Sequence, residues 1–419
     1  MKFATVADPS RPLELVLGGT LAEVIVAYET YGTLAPEKDN VILVCHALTG
    51  DSHCAAHDDR DDEGWWDLLV GPGRPLDTDR FFVVCANVLG GCQGTTGPAS
   101  PDPATGRPYG MTFPTVTVRD MVHVQKRLLE VLGINHLALV IGGSMGGAQA
   151  LEWAVTYPGF VDAVAALATP GYASAQAIAY NRVGRQAVML DPAWRGGDYY
   201  GSPGPVNGLA LARAIGMITY QSEPSMAAKF ARRTRDGQFE VENYLDYQGR
   251  CLVQRFDANS YLYLLRALDL YDLGMGYASY RTALARIEAK VLVAGVTSDI
   301  LYPAYQQIEL VETLKSLGVR AEYAEVDSPH GHDGFLIDFD LLKPILSEFV
   351  DTVAPARMPW QASVFAPRGW PTSAPASWPK LTPNNNAHGT NHPAQGGTAN
   401  DLTRRSPLRQ PGRPRRTGA

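Results

Sequence analysis

Leu139-Val140-Ile141-Gly142-Gly143-Ser144-Met145-Gly146-Gly147 decides the reading of this chain. An apolar run enters Gly-x-Ser-x-Gly, and a helix-forming segment over 148–154 leaves it. Strand, sharp turn and helix in that order form a nucleophile elbow. The backbone must reverse so tightly that flanking Cβ atoms would collide, which accounts for the small residues around Ser144. The turn would lift the serine oxygen clear of a sheet and set it at a helix N-terminus, where positive dipole charge meets a developing anion.

The surrounding sequence supports a sheet of the required kind. Val41-Ile42-Leu43-Val44-Cys45, Phe81-Phe82-Val83-Val84-Cys85 and residues 137–141 and 163–168 read as buried strands. Between them, residues 118–132 carry Met121, Val124, Leu128 and Leu132 on one helical face, and Gly133 stops the run. The helix after Ser144 should end before Pro158. Strands alternating with helices imply an α/β fold, a mostly parallel central sheet with helices on both faces. From 171 to 287 the text turns helical and polar-aromatic, with runs at 175–190, 208–220 and 260–273. Lys290-Val291-Leu292-Val293-Ala294-Gly295-Val296 then restores a buried strand, followed by a helix near 305–317 and a strand over 321–326. The expected organisation is a discontinuous core, 1–170 with 288–354, interrupted by a helical lid insertion over 171–287.

Composition sets bounds. Of 419 residues, 45% are hydrophobic and 19% charged, an ordinary globular balance. From Pro355 onward nine basic residues face one acidic residue, Asp401, so this tail carries +8 and the remainder −15. An acidic body argues against nucleic acid as a partner. The tail, 355–419, is rich in Pro, Asn and Arg and is expected to be disordered. No apolar run reaches membrane-spanning length, and the N-terminus shows no secretory h-region. Five cysteines without a Cys-x-x-Cys pair read as reduced thiols, hence a cytoplasmic protein.

A serine needs a base, and the base needs a carboxylate to hold its tautomer; in this architecture they follow in the order Ser, acid, His. Asp299 follows the strand at 290–296, and two histidines, His330 and His332, follow the strand at 321–326. Spacing leaves both histidines open and favours His332, flanked by Gly331 and Asp333. The oxyanion hole should combine the N–H of Met145 with one from the loop His46-Ala47-Leu48-Thr49-Gly50, for which Leu48 is the candidate. His46, His53, Cys54 and His57 cluster in sequence, but their spacing fits no standard zinc site, so no metal is expected. Gly90-Gly91-Cys92-Gln93-Gly94-Thr95-Thr96-Gly97 lacks the lysine and helix of a P-loop and reads as a tight loop near the site.

Cys45-His46-Ala47-Leu48-Thr49-Gly50-Asp51, Asn87-Val88-Leu89-Gly90-Gly91-Cys92, Gly94-Thr95-Thr96-Gly97-Pro98 and the serine motif resemble the homoserine O-acetyltransferase family of the α/β-hydrolase superfamily. Phe256-Asp257-Ala258-Asn259-Ser260-Tyr261, Thr297-Ser298-Asp299 and Gly331-His332-Asp333 share the resemblance, which runs from about 11 to 350. It implies an α/β-hydrolase fold and a triad of Ser144, Asp299 and His332. It also implies a substrate arginine and tyrosine, Arg213 and Tyr220, seven residues apart on one helix. Arg213 would grip an amino acid's carboxylate and Asp333 its α-ammonium. The reaction implied is ping-pong transfer of an acetyl group from acetyl-CoA, a co-substrate rather than a cofactor, to L-homoserine in methionine biosynthesis by a homodimer. Succinyl-CoA as donor, L-serine as acceptor, an esterase and a non-catalytic binding module are the alternatives. One departure stands out: relatives often carry histidine where this chain has Met217.

Overall fold

A computed structural model describes residues 1–353. The tail expected over 355–419 lies outside the described residues. The main sheet has eight strands: β1 (Lys2–Ala7), β2 (Val24–Tyr31), β3 (Val41–Cys45), β4 (Phe82–Ala86), β5 (Leu137–Gly143), β6 (Val161–Leu167), β7 (Lys290–Val296) and β8 (Ala321–Val326). They lie in the order β1-β2-β4-β3-β5-β6-β7-β8. β2 runs antiparallel to β1 and to β4, and every pairing from β4 to β8 is parallel. The apolar runs of the sequence predict the last six of these and no strand before Val41, so β1 and β2 are additions.

Each central strand feeds two cores. Val41 and Leu43 enter one, Ile42 and Val44 the other; Val291 and Val293 divide from Leu292 and Ala294 in the same way. This is the period-two alternation of a sheet covered on both faces. Helices α1 (Val118–Val131) and α2 (Met145–Thr156) cover the first face with Met121, Leu128 and Leu151. α1 opens on Thr117, whose side chain accepts from the Asp120 N–H while Asp120 accepts from the Thr117 N–H, a capping box. Gly133, at φ 68°, ends the turn beyond it, as its sequence position suggested.

Six helices separate β6 from β7: α3 (Ala175–Leu190), α4 (Val206–Tyr220), α5 (Glu223–Phe230), α6 (Glu240–Val253), α7 (Ala258–Asp269) and α8 (Tyr280–Leu284). A two-residue-per-strand hairpin, Thr234–Arg235 with Gln238–Phe239, interrupts them. The insertion does not form a core of its own. Leu264, Leu265 and Leu268 of α7 join the core that α1 and α2 occupy, each buried leucine worth about 2 kcal/mol. After β7 come α9 (Ala304–Ser316), α10 (Gly334–Ile337) and α11 (Phe339–Asp351); α11 covers the second face with Leu342, Leu346 and Phe349. Among the described residues no helix is long and apolar enough to cross a membrane, and all five cysteines are unpaired.

Candidate active site

Ser144 sits between the end of β5 and the first residue of α2, with φ 57° and ψ −121°. This is strained backbone for a residue with a Cβ. Three hydrogen bonds hold it: its N–H donates to Leu167 O at 2.9 Å, and its carbonyl accepts from Ala148 N at 3.0 Å and Thr169 Oγ1 at 2.7 Å. The glycines around it are dictated by space. A Cβ on Gly146 would lie 2.0 Å from the Cys45 carbonyl oxygen, and one on Gly142 would lie 2.5 Å from the Gly146 backbone. The elbow is therefore pressed directly against the end of β3.

Two remote segments converge on the serine. His332 Nε2 lies 2.8 Å from Ser144 Oγ, and His332 Nδ1 lies 2.7 Å from Asp299 Oδ2. The other carboxylate oxygen of Asp299 accepts from the N–H groups of Leu301 and Tyr302 at 2.8 and 2.9 Å. All three residues are buried. The Asp299 and His332 loops are clasped by Ser298, whose hydroxyl accepts from Gly331 N at 2.9 Å and donates to Ser328 O at 2.5 Å. Tyr302, Phe335 and Tyr220 stand around the imidazole with centroids 5.2, 5.6 and 5.9 Å away. Burial disfavours the charged imidazole, yet the adjacent Asp299 charge and its hydrogen bond outweigh this, so the pKa of His332 lies above the ordinary value. A hydroxyl bonded to an imidazole that a carboxylate orients is activated for attack on an acyl carbon.

The competing histidine is held elsewhere. His330 Nδ1 faces Asp338 Oδ2 at 2.8 Å, and its backbone N–H donates to Ser328 Oγ.

Met145 opens α2, so its N–H has no acceptor within the helix. Leu48 lies in the loop after β3, and that loop is fixed from several sides. Gln149 Nε2 donates to His46 O at 3.3 Å. Arg255 donates to Thr49 O at 2.6 Å. His46 itself is buried, with Nδ1 on Ala47 O at 2.7 Å and Nε2 accepting from Val88 N at 3.1 Å. Burial lowers its pKa and favours the neutral form that can play both roles.

α4 carries Arg213 and Tyr220 on one face, and the Arg213 guanidinium carbon lies 5.6 Å from the Tyr220 ring centroid. Arg213 and Met217 are buried. Asp333 follows His332 directly. Burial pushes its carboxyl pKa up, opposed by the charges of Arg213 and His332 and a hydrogen bond from Gln221.

The α/β hydrolase fold family matches residues 40–339. A crystal structure of homoserine O-acetyltransferase from Bacillus anthracis superposes with a TM-score of 0.79 at 32% identity, over 84% of this chain and 97% of that one. A homoserine O-acetyltransferase from Symbiobacterium thermophilum is 55% identical over 361 residues, 83% of this chain and 94% of the relative. This chain belongs to the homoserine O-acetyltransferase family. The crystal structure of esterase E22 is also similar, at 31% identity and a TM-score of 0.77 over 83% of this chain and 99% of that one.

Several residues around the site of this homoserine O-acetyltransferase family member carry no local sequence signal. Thr169, Gln221 and Arg255 each lie far in sequence from the groups they hold, so no local pattern announces them. The histidine cluster resolves differently from its listing in sequence: His46 braces the loop after β3, whereas His53 and His57 meet Glu29 of β2. Glu29 Oε2 accepts from His53 Nδ1 at 2.9 Å and His57 Nε2 at 3.0 Å. His53 Nε2 faces Asp62 O at 2.8 Å, so both its nitrogens donate and the ring is an imidazolium, with its pKa raised to about 9 by the Glu29 hydrogen bond. His53 and Glu29 form an ion pair, and His57 hydrogen-bonds to the same carboxylate oxygen. In the Gly90–Gly97 loop, the N–H groups of Gly90, Gly91 and Thr96 bond to carbonyls of the chain itself, the tight loop expected rather than a phosphate cradle.

Proposed function

We propose that this protein is a homoserine O-acetyltransferase that carries the acetyl group on Ser144. One observation supports the acceptor assignment above others. Arg213 lies over the Tyr220 ring, whose centroid is 5.9 Å from that of His332, and Asp333 follows His332 directly, so two groups of opposite charge lie on the His332 side of the site. A zwitterionic hydroxy amino acid needs both; hydrolysis of an ester needs neither. The relatives' names supply the acyl group.

In the first half-reaction His332 Nε2 takes the Ser144 proton as Oγ attacks the thioester carbonyl of acetyl-CoA. The N–H groups of Leu48 and Met145 stabilise the oxyanion, each such donor being worth roughly a hundredfold or more in rate. The C–S bond breaks, and the leaving sulfur takes the proton from His332. In the second, the homoserine hydroxyl gives its proton to the same nitrogen, attacks the acetyl carbon and releases Ser144 Oγ, which recovers a proton. Arg213 holds the acceptor's carboxylate, Asp333 its ammonium, and Tyr220 packs between Arg213 and the base. Water at about 55 M competes, but well-oriented groups reach effective molarities of roughly 10⁵ M or more, so a gripped hydroxyl outcompetes it. The helices over 171–287 act as the lid that shields this exchange. The protein works in the cytoplasm, in methionine biosynthesis, as a homodimer, with no cofactor beyond its co-substrate.

The experiment is direct: purified protein with homoserine or serine, and acetyl- or succinyl-CoA, the product identified by mass. O-acetylhomoserine is expected. The likeness to esterase E22 favours a second reading, and acceptor-independent ester hydrolysis with no transfer would select it. Arg213→Ala is expected to raise the KM for homoserine roughly 10²–10³-fold, the cost of removing one partner of a buried charge contact. The KM for acetyl-CoA should change little. Steady-state kinetics with each substrate varied separately checks this, and equal effects on both would remove the carboxylate role.

A further inference from the structure

The residue that ends α4 bears a buried amide to which the triad assigns no task. Gln221 is 2% exposed. Its Oε1 accepts from Lys229 Nζ at 2.5 Å and from Ser225 Oγ at 3.0 Å, and its Nε2 donates to Asp333 Oδ2 at 2.8 Å. Lys229 has only donors to offer, so the amide cannot be reversed: its oxygen must face the ammonium and its N–H groups the carboxylate.

This arrangement has an electrostatic consequence. A lysine bonded straight to Asp333 would neutralise it and occupy an oxygen that a substrate ammonium needs. Here a neutral amide stands between them. It fixes one carboxylate oxygen by a charge-assisted hydrogen bond and keeps the Lys229 ammonium from pairing with it directly. Lys229 polarises the amide from behind, strengthening the donation.

The connection is also geometric. Arg213 lies on α4 and Gln221 caps the same helix. The chain just beyond, at Ser222, donates its hydroxyl to Pro329 O in the loop that bears His332. Gly331 is pressed so closely on this turn that a Cβ there would lie 2.7 Å from Ser222 N and 2.8 Å from Tyr220 O. One element therefore sets the distance between the carboxylate grip at Arg213 and the ammonium grip at Asp333.

Resting on the acceptor reading above, we propose that Gln221, backed by Lys229, is a positioning residue that holds Asp333 in place for the acceptor's α-ammonium without neutralising it, and so makes the enzyme demand an α-amino acid. Gln221→Leu removes the donation while keeping most of the volume. The test compares kcat/KM for homoserine with that for 4-hydroxybutanoate, the same hydroxy acid lacking the ammonium, in wild type and variant. The rate of Ser144 acylation by acetyl-CoA is measured alongside.

The preference for homoserine should fall roughly tenfold to a hundredfold, through the homoserine KM, while acylation stays unchanged. A variant that discriminates as well as wild type overturns the proposal, as does equal loss with both acids. Should Gln221→Leu fail to fold, Lys229→Met reads the same ratio; an unchanged ratio there overturns it too. If wild type is acylated yet transfers to neither acid, the acceptor reading itself falls and takes this proposal with it, an outcome distinct from the others.

Discussion

Replacing Ser144 by alanine is expected to lower kcat by on the order of 10⁶ while leaving the fold intact. In the proposed mechanism Ser144 Oγ is the atom that carries the acyl group, and without it His332 has no hydroxyl to activate. The fold should survive because every bond that holds the elbow uses the backbone of residue 144. Its N–H donates to Leu167 O, and its carbonyl accepts from Ala148 and Thr169. Alanine keeps all of these, and the strain at φ 57° is the same for any residue with a Cβ. Circular dichroism and thermal melting should match wild type. Retention of transfer at a tenth of the wild-type rate would mean that another group is the nucleophile.

Asp299→Asn should cost about 10⁴ in kcat, and the structure explains why so small a change costs so much. One oxygen of Asp299 is committed to the N–H groups of Leu301 and Tyr302, so an asparagine must keep its carbonyl there. Its NH₂ then faces His332 Nδ1, where a carboxylate oxygen stood at 2.7 Å. The imidazole must accept at Nδ1 and carry its proton on Nε2, the nitrogen that should take the serine proton. The pH profile gives a second signature. In the proposed mechanism the working base is neutral His332, and its pKa in wild type lies above the ordinary 6.5 because Asp299 stabilises the imidazolium. Activity in wild type should therefore fall as pH drops through that raised value. Without the negative charge the limb should move to lower pH, even as the plateau drops. A limb that stays in place would mean that Asp299 does not set the titration of the base.

The centre of the fold was legible because its strands are buried on both faces. Val41-Ile42-Leu43-Val44-Cys45 and the run at 290–296 alternate between two cores and contain almost nothing polar, so length and composition suffice. β1 was not, since four of its six residues, in Lys2–Ala7, face outward at least in part at the sheet edge. β2 carries a stronger signal in Val24, Ile25 and Val26, but Glu29 interrupts it, and that carboxylate is acceptable there only because His53 and His57 arrive from a later loop. The site shows the same division. Ser144 and Asp299 could be read from local context. The choice between His330 and His332 could not be made by spacing, because it depends on which ring Asp338 and Asp299 each capture, eight and 33 residues away. Gln221 reaches Asp333 across 112 residues, and only the folded chain brings them together.

The most direct measurement is to mix the enzyme with acetyl-CoA in the absence of acceptor, quench within the first turnover, and map the modified peptide by mass spectrometry. One acetyl group on Ser144, discharged on adding homoserine to yield O-acetylhomoserine, is the predicted result. Transfer that proceeds at full rate with Ser144 never modified would contradict the account.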